Sequence, residues 1–434
     1  MGLETSRTRN KRLAAYDSLA NLSETGSMKT CDSEWASIAS AFPPKRTVLS
    51  VSSGRDGYAC ARLTQTGKIF MSPKHVEALV KESWRNLAWR RFHWRHAVEA
   101  RSIRRTIESR HGRTDPSQLK LADVYARDVF GDARYAPWLQ AYTAFNGSFR
   151  EGWIPDNYYG SVVVPKLKGL YGQISNLKPV SRLLFRDDAF PDIAYYVNGM
   201  FFTADHIAIP ESAILDTVFS TSERVAFKLD QSSQGRGIYL IDRKDFRIGR
   251  IKALGNGVLQ RFIVQHQWFD QFRSKAVATV RFTTVVDDAG HISLRACFLR
   301  LGRATDTHIC PDSEVCIAVD LRTGRLCSKG YLNDWSDVDA HPDSHVTFAG
   351  LTLPSFPECL QKVIELHAKL PFARCVGWDV TVDSNGHVIV LEWNAEHNDV
   401  KFGEATQGPC FAGLGWEALG SLNRDSRTKL AFGR

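Results

Sequence analysis

Glu392 and Asn394 stand two residues apart in VLEWN, Val390–Asn394. Alternate residues of a strand share a face. A strand here presents a carboxylate and a carboxamide on one side, with Leu391 and Trp393 filling the other. The preceding residues, GWDVTVDSNGHVIV, read as the first arm and turn of a hairpin. Its Ser384-Asn385-Gly386 turn folds Asp379 back alongside the pair. Ionised carboxylates brought this close raise each other's pKa unless a positive group lies between them. An all-oxygen donor set suits a hard cation, Mg2+ or Mn2+, which leaves positions for phosphate. Asp379, Glu392 and Asn394 are therefore the expected metal ligands. The plain alternative is a polar strand end.

A phosphate partner for such a cation is offered by FKLDQSSQGRGIYL. Lys228 ends one β-type run and a second begins after the loop Ser232, Ser233, Gln234, Gly235, Arg236, Gly237. Glycines let backbone N–H groups approach phosphate oxygens, and the serines and Arg236 add donors. A strand follows the loop where a Walker motif has a helix, so this is not a P-loop. An ordinary hairpin turn is the competing reading.

With WIPD, NLKPVSRLLF, LQRFIVQH, ATVRFTTVVDDAG, FLRLGRA, DLRTGRL and GLTLPSFPE added in this order, the chain from about Trp153 to Phe411 resembles the sugar-transfer-associated ATP-grasp family, relatives of α-L-glutamate ligases. The resemblance implies an α+β ATP-grasp fold, two subdomains gripping ATP between antiparallel sheets. By this resemblance Lys178 is the first nucleotide lysine, with Lys166 and Lys168 as rivals, and Lys228 is the second. Ser232 to Gly237 match the phosphate lid, and Gln260, Arg261, Phe262 and Ile263 the hinge that holds adenine. The ribose acid falls at Gln267 or Asp270. Asp379, Glu392 and Asn394 match the metal ligands. Arg281 and Arg300 match central-strand arginines able to stabilise a transferring phosphoryl group; for each, a surface ion pair is the alternative. His266 and His397 are candidates for the acceptor pocket. The implied cofactors are ATP and Mg2+ (or Mn2+).

Elements must hold these residues in place. The 434 residues carry a net charge of +9, 43% apolar and 24% charged residues, which suits a globular chain of two or three domains with a taste for anions. Nine cysteines without a C-x-x-C point to a reducing, cytoplasmic setting, and His308, Cys310 and Cys316 match no common zinc spacing. No apolar run reaches the length of a membrane span. The expected organisation is a polar leader over 1–72 with a hairpin about Ser53-Gly54, a basic helical region over 73–150, ATP-grasp subdomains over 151–263 and 264–415, and a tail over 416–434. In the basic region Val80, Trp84, Leu87, Ala88 and Phe92 draw one apolar arc expected to pack. Asp115 and Pro116 open a further helix.

The expected function is ATP-dependent carboxylate–amine ligation through an acyl phosphate, with a sugar or polysaccharide precursor as acceptor. A kinase acting on a sugar or alcohol is the first alternative. A nucleic-acid or polyanion-binding protein is the second, because Arg85 to Arg110 interleaves arginines with Trp84, Trp89, Phe92 and Trp94.

Overall fold

The computed structural model describes residues 73–420 except 231, 233–236, 305, 307 and 311. The expected leader, with its Ser53-Gly54 hairpin, and residues 421–434 of the tail lie outside the described residues. The chain divides into two compact units, Met1–Arg85 and Asn86–Arg434. Of the first, only the start of a helix is described.

That helix, α1 (Pro73–His111), is followed by α2 (Pro116–Asp128) and α3 (Ala136–Asn146). Asp115 caps α2 by accepting the Ser117 N–H, with Pro116 in the first turn, as the sequence predicts. The apolar arc expected on α1 is corrected: Val80, Trp84 and Leu87 are exposed, and Phe92 is half-buried. Within the second unit α1 instead packs through Ala100, Ile103 and Ile107, about one turn apart, in one cluster with Trp138, Leu139 and Tyr142 of α3, while His93, two turns earlier on the same face, is buried against Tyr135.

Two antiparallel sheets follow. The first contains β1 (Asp192–Val197), β2 (Met200–Thr203), β3 (Ala208–Ile209), β4 (Arg224–Leu229), β5 (Ile238–Asp242) and β6 (Gly257–Arg261), in the order β3-β2-β1-β6-β4-β5. The second contains β7 (Thr279–Val286), β8 (Ile292–Leu301), β9 (Val315–Val319), β10 (Leu326–Tyr331), β11 (Asp337–Val338), β12 (Cys375–Val382) and β13 (Val388–Asn394), in the order β11-β10-β9-β8-β7-β12-β13. Helix α4 (Phe356–Ala368) covers one face of the second sheet with Cys359, Val363 and Leu366. Beneath it lie Val280, Phe282, Leu299, Trp378 and Val380. Strand alternation therefore turns Arg281, Arg300 and Asp379 to the opposite face.

Under α4 a polar thread crosses the core. The Trp378 Nε1–H donates to Thr284 Oγ1 at 2.8 Å, and Thr284 Oγ1 lies 2.7 Å from His367 Nδ1. His367 Nε2 lies 2.9 Å from the Ala373 carbonyl. A neutral imidazole satisfies every group: Nε2–H donates to Ala373 and Nδ1 accepts the threonine proton. Burial pulls the His367 pKa down to about 4. The unfolded chain then binds one more proton than the folded one between about pH 6.5 and pH 4. Stability is expected to fall as the pH drops through that window, by up to about 3 kcal/mol from this group alone. Urea titrations from pH 7 to 4 on the wild type and His367→Gln check it. The substitution should flatten the acid slope, and an unchanged slope would assign it elsewhere.

Candidate active site

The face of the second sheet away from α4 collects the predicted residues. Asp379 of β12 lies opposite Arg281 of β7 and Glu392 of β13, and Gly377 lies opposite Asn394. Arg281 Nε and Nη2 reach the two Asp379 oxygens at 2.6 and 2.9 Å, a bidentate pair in which both residues are buried. A third donor, Arg281 Nη1, binds the Asn398 carbonyl at 3.0 Å. Gly377 makes room: a Cβ there would sit 3.3 Å from both Cδ and Nη1 of Arg281. Arg300 of β8 donates to Glu314 at 2.7 Å and lies 3.9 Å from Asp379. Asn394 Nδ2 is 3.3 Å from Asp379 Oδ2. Burial pushes the Asp379 carboxyl upward, but Arg281, helped by Arg300 and Lys228, outweighs it and holds the group below its ordinary value.

A break in the ladder sets the Glu392 side chain. Asp379 pairs with Glu392 but Val380 pairs with Val390, so Leu391 is the extra residue of a bulge. Val390 and Trp393 both enter the core beneath α4. Leu391 does not fill that core face as strict alternation predicted. It lines the cleft, and its carbonyl, 3.2 Å from Lys228 Nζ, accepts from the other sheet. The bulge thus turns Glu392 toward the site and supplies an anchor for the β4 lysine. Burial lowers the Lys228 pKa, opposed by Glu392 and Asp192.

The geometry gives the three candidate lysines different surroundings. Lys178 Nζ lies 3.3 Å from Glu392 Oε1 and 3.1 Å from the Ser232 carbonyl, and its N–H donates to Asp230. Lys168 is buried elsewhere, bonded to the Glu396 carbonyl and Asn398, where burial lowers its pKa to about 8. Lys166 binds the Leu419 carbonyl. Of the phosphate loop, Ser233, Gln234, Gly235 and Arg236 lie outside the described residues. Ser232 Oγ donates to the Leu229 carbonyl at 2.6 Å, and Gly237 takes a φ of +75°, a left-handed turn that glycine favours.

A cleft lined by Lys178, Asp192, Gln260, Leu391 and Glu392 joins the two halves. The Gln260 side chain is committed to Asp192, at 2.8 Å, and Tyr195 OH donates to the same carboxylate at 3.0 Å. Phe262 and Ile263 lie beyond the last ladder pair of the hinge strand, Val225↔Arg261, so their backbone is outside the sheet. Gln267 and Asp270 are exposed on a short turn and do not line the cleft. His266 caps that turn by accepting the Trp268 N–H. His397 lies 3.5 Å from Asp156, which is buried and also faces His96 at 3.4 Å.

Asp192, Glu314 and Asp156 contact Gln260, Arg300 and His397 and were not singled out from the sequence. Each is an acid beside an apolar or aromatic run, and FPDIAYYV was the visible signal for the first. Among the described residues no cluster of three histidines, cysteines or acids suits a metal. The oxygens of Glu392, Asp379 and Asn394 do fit a hard cation, because a carboxylate keeps acceptor sites beyond those that Arg281 fills. Arg281, Arg300, Lys178 and Lys228 bring four cations to this face, set against Asp379, Glu392, Glu314 and the cleft acid Asp192.

Two antiparallel sheets face a lysine-rimmed cleft, one bearing acids and arginines on its inner face, which is the arrangement that the ATP-grasp resemblance leads one to expect. Residues 250–413 match the model of the sugar-transfer associated ATP-grasp family, and over that part the resemblance read from the motifs is borne out. No curated protein matches the sequence. Similar solved structures include the ATP-grasp ligase PsnB complexed with minimal precursor, at 13% identity and TM-score 0.32, covering 61% of this chain and 64% of that one. The biotin carboxylase domain of Hydrogenobacter thermophilus 2-oxoglutarate carboxylase with MgADP follows at 12% and 0.36, covering 57% and 46%. The L-amino acid ligase of Bacillus licheniformis stands at 12% and 0.30, covering 52% and 41%. The chain spans less than two thirds of the length of each.

Removing Arg281 strands a buried carboxylate, which typically costs about 3–5 kcal/mol. Arg281→Met is expected to lose that much in urea unfolding, and Arg281→Met/Asp379→Leu to regain most of it. Strictly additive losses in this cycle would mean that the pair is not coupled.

Proposed function

We propose that the protein is an ATP- and Mg2+-dependent ligase that joins a carboxylate to an amine through an acyl phosphate. The observation that carries this reading is the shared face holding Arg281, Arg300, Asp379, Glu392 and Asn394, with Lys178 and Lys228 reaching it from across the cleft. The family match over residues 250–413 supports it. Adenine lies against the hinge Gln260–Ile263, where the backbone of Phe262 and Ile263, beyond the ladder, offers hydrogen bonds. Lys178 and Lys228 hold phosphate oxygens. Glu392, Asn394 and Asp379 would hold Mg2+, which when bound neutralises phosphate charge. Arg281 fixes Asp379 and keeps it ionised. Arg300, with donors left beyond its bond to Glu314, stabilises charge on the transferring phosphoryl group. His397, past Asn394 in the chain, and Asp156, which it meets at 3.5 Å, lie on the acceptor side. The association of the family with sugar transfer supports an acid or amine that belongs to a sugar or polysaccharide precursor, handled inside the cell.

The test combines ATP and Mg2+ with a panel of sugar acids and amino acids, with and without amines. Phosphate release that requires both acid and amine supports ligation. Phosphate retained on a hydroxyl of the product instead makes the protein a kinase. With the productive pair, Glu392→Gln is expected to lose at least about 100-fold in kcat at low Mg2+, partly restored by Mn2+, which such sites bind more tightly. A normal rate at low Mg2+ would remove Glu392 from the metal site.

Lys228→Ala deletes a charge-assisted contact worth about 1.5–3 kcal/mol, roughly 10- to 150-fold in ATP affinity. Calorimetric titration with ATP checks this, with a thermal melt to show that the variant folds. Unchanged affinity in a folded variant would overturn the assignment of Lys228.

A further inference from the structure

The outward face of α1 has a composition that the nucleotide site does not use. Leu87, Trp94 and Val98 are 58%, 64% and 46% exposed. At seven- and four-residue spacings they fall within about 40° of one another around the helix. They lie opposite His93, Ala100, Ile103 and Ile107, the face that packs against the protein. The same turns carry Arg90 and Arg101 on one flank, Arg95 on the other, and Arg105 in line with the stripe. All four are exposed, and no hydrogen bond or ion pair engages any of them among the described residues. The acids nearby are taken: Glu99 binds Lys401 at 2.7 Å and Glu108 faces Arg104 at 3.7 Å. Trp89 is also engaged, with the Arg134 guanidinium 3.8 Å from its ring centre, whereas Trp94 stands clear.

We propose that this face of α1, residues 87–105, docks the protein onto an anionic lipid surface. The charge pattern chooses the occupant. A second copy paired through the same stripe would set arginines against arginines with no acid between them. A nucleic-acid backbone would neutralise the arginines but leave Leu87 and Val98 in water. Anionic lipid meets both needs, with headgroups for the flanking guanidinium groups and the acyl boundary for the apolar line. Tryptophan is suited to that boundary because its ring is apolar and its N–H is polar. No helix among the described residues is long and apolar enough to cross a membrane, so α1 lies on the surface instead of spanning it.

The test uses the full chain with vesicles of phosphatidylcholine alone or mixed with phosphatidylglycerol. Co-sedimentation and tryptophan emission are the readouts. Binding is expected on the mixed vesicles, with a blue shift, and to be at least tenfold weaker on phosphatidylcholine. Each arginine at such a surface strengthens binding about fivefold, so Arg90→Gln/Arg95→Gln/Arg101→Gln should weaken it about 100-fold. Trp94→Ser/Val98→Ser should abolish the blue shift and weaken binding about tenfold or more. These positions are exposed, so circular dichroism should show the native fold in both variants. Equal binding to both vesicle types, or variants that bind like the wild type, would overturn the proposal. So would a single-stranded DNA oligomer that binds more tightly than the mixed vesicles, or a dimer in sedimentation that Trp94→Ser dissolves.

Discussion

The buried pair of Arg281 and Asp379 is the contact on which the inner face of the second sheet depends. Two parallel hydrogen bonds tie β7 to β12, and the third donor of Arg281 holds the Asn398 carbonyl in the segment after β13. Three pieces of chain are thereby set around one guanidinium. A buried carboxylate is tolerable only when paired and bonded, and here the pairing also keeps Asp379 ionised. Arg300, Asn394 and Lys228 take their places around that fixed charge.

The second constraint is the bulge at Leu391. An unbroken ladder would put Val390 and Glu392 on one face, driving either a carboxylate into the core beneath α4 or a valine into the site. One unpaired residue lets Val390 and Trp393 both enter the core while Glu392 turns to the cleft. The carbonyl that this exposes accepts from Lys228 across the cleft, so a single irregularity serves both sheets. Bulges of this kind beside a site re-aim a side chain at little cost to the sheet.

The helical region adds a third layer of organisation. It packs through a face of small and aliphatic residues and leaves the arginine-rich face with Trp94 outward. Its buried side reaches Asp156 through His96, so the N-terminal helices adjoin the same post-β13 segment that Arg281 anchors.

Much of this was legible before any coordinates. The hairpin turn at Ser384-Asn385-Gly386, the convergence of Asp379, Glu392 and Asn394 on one face, the Lys228 strand end and the α2 cap are local patterns, and a local pattern is carried by neighbouring residues. What remained open depended on partners far away in the chain. Nothing near Asp379 announces Arg281, 98 residues earlier, as its counter-ion. Nothing near Lys178 ranks it above Lys166 and Lys168, because all three are lysines in a loop-rich stretch. Only the approach of the β13 acid and the Ser232 carbonyl separates them. On α1 the apolar arc was real as a pattern, but periodicity cannot say whether a neighbour covers it. The sequence by itself determined which residue types stand at which spacing, and so the class of chemistry. The tertiary structure alone decided which charges are shared, which face is covered and where the ladder slips, because those follow from long-range packing that no local window contains.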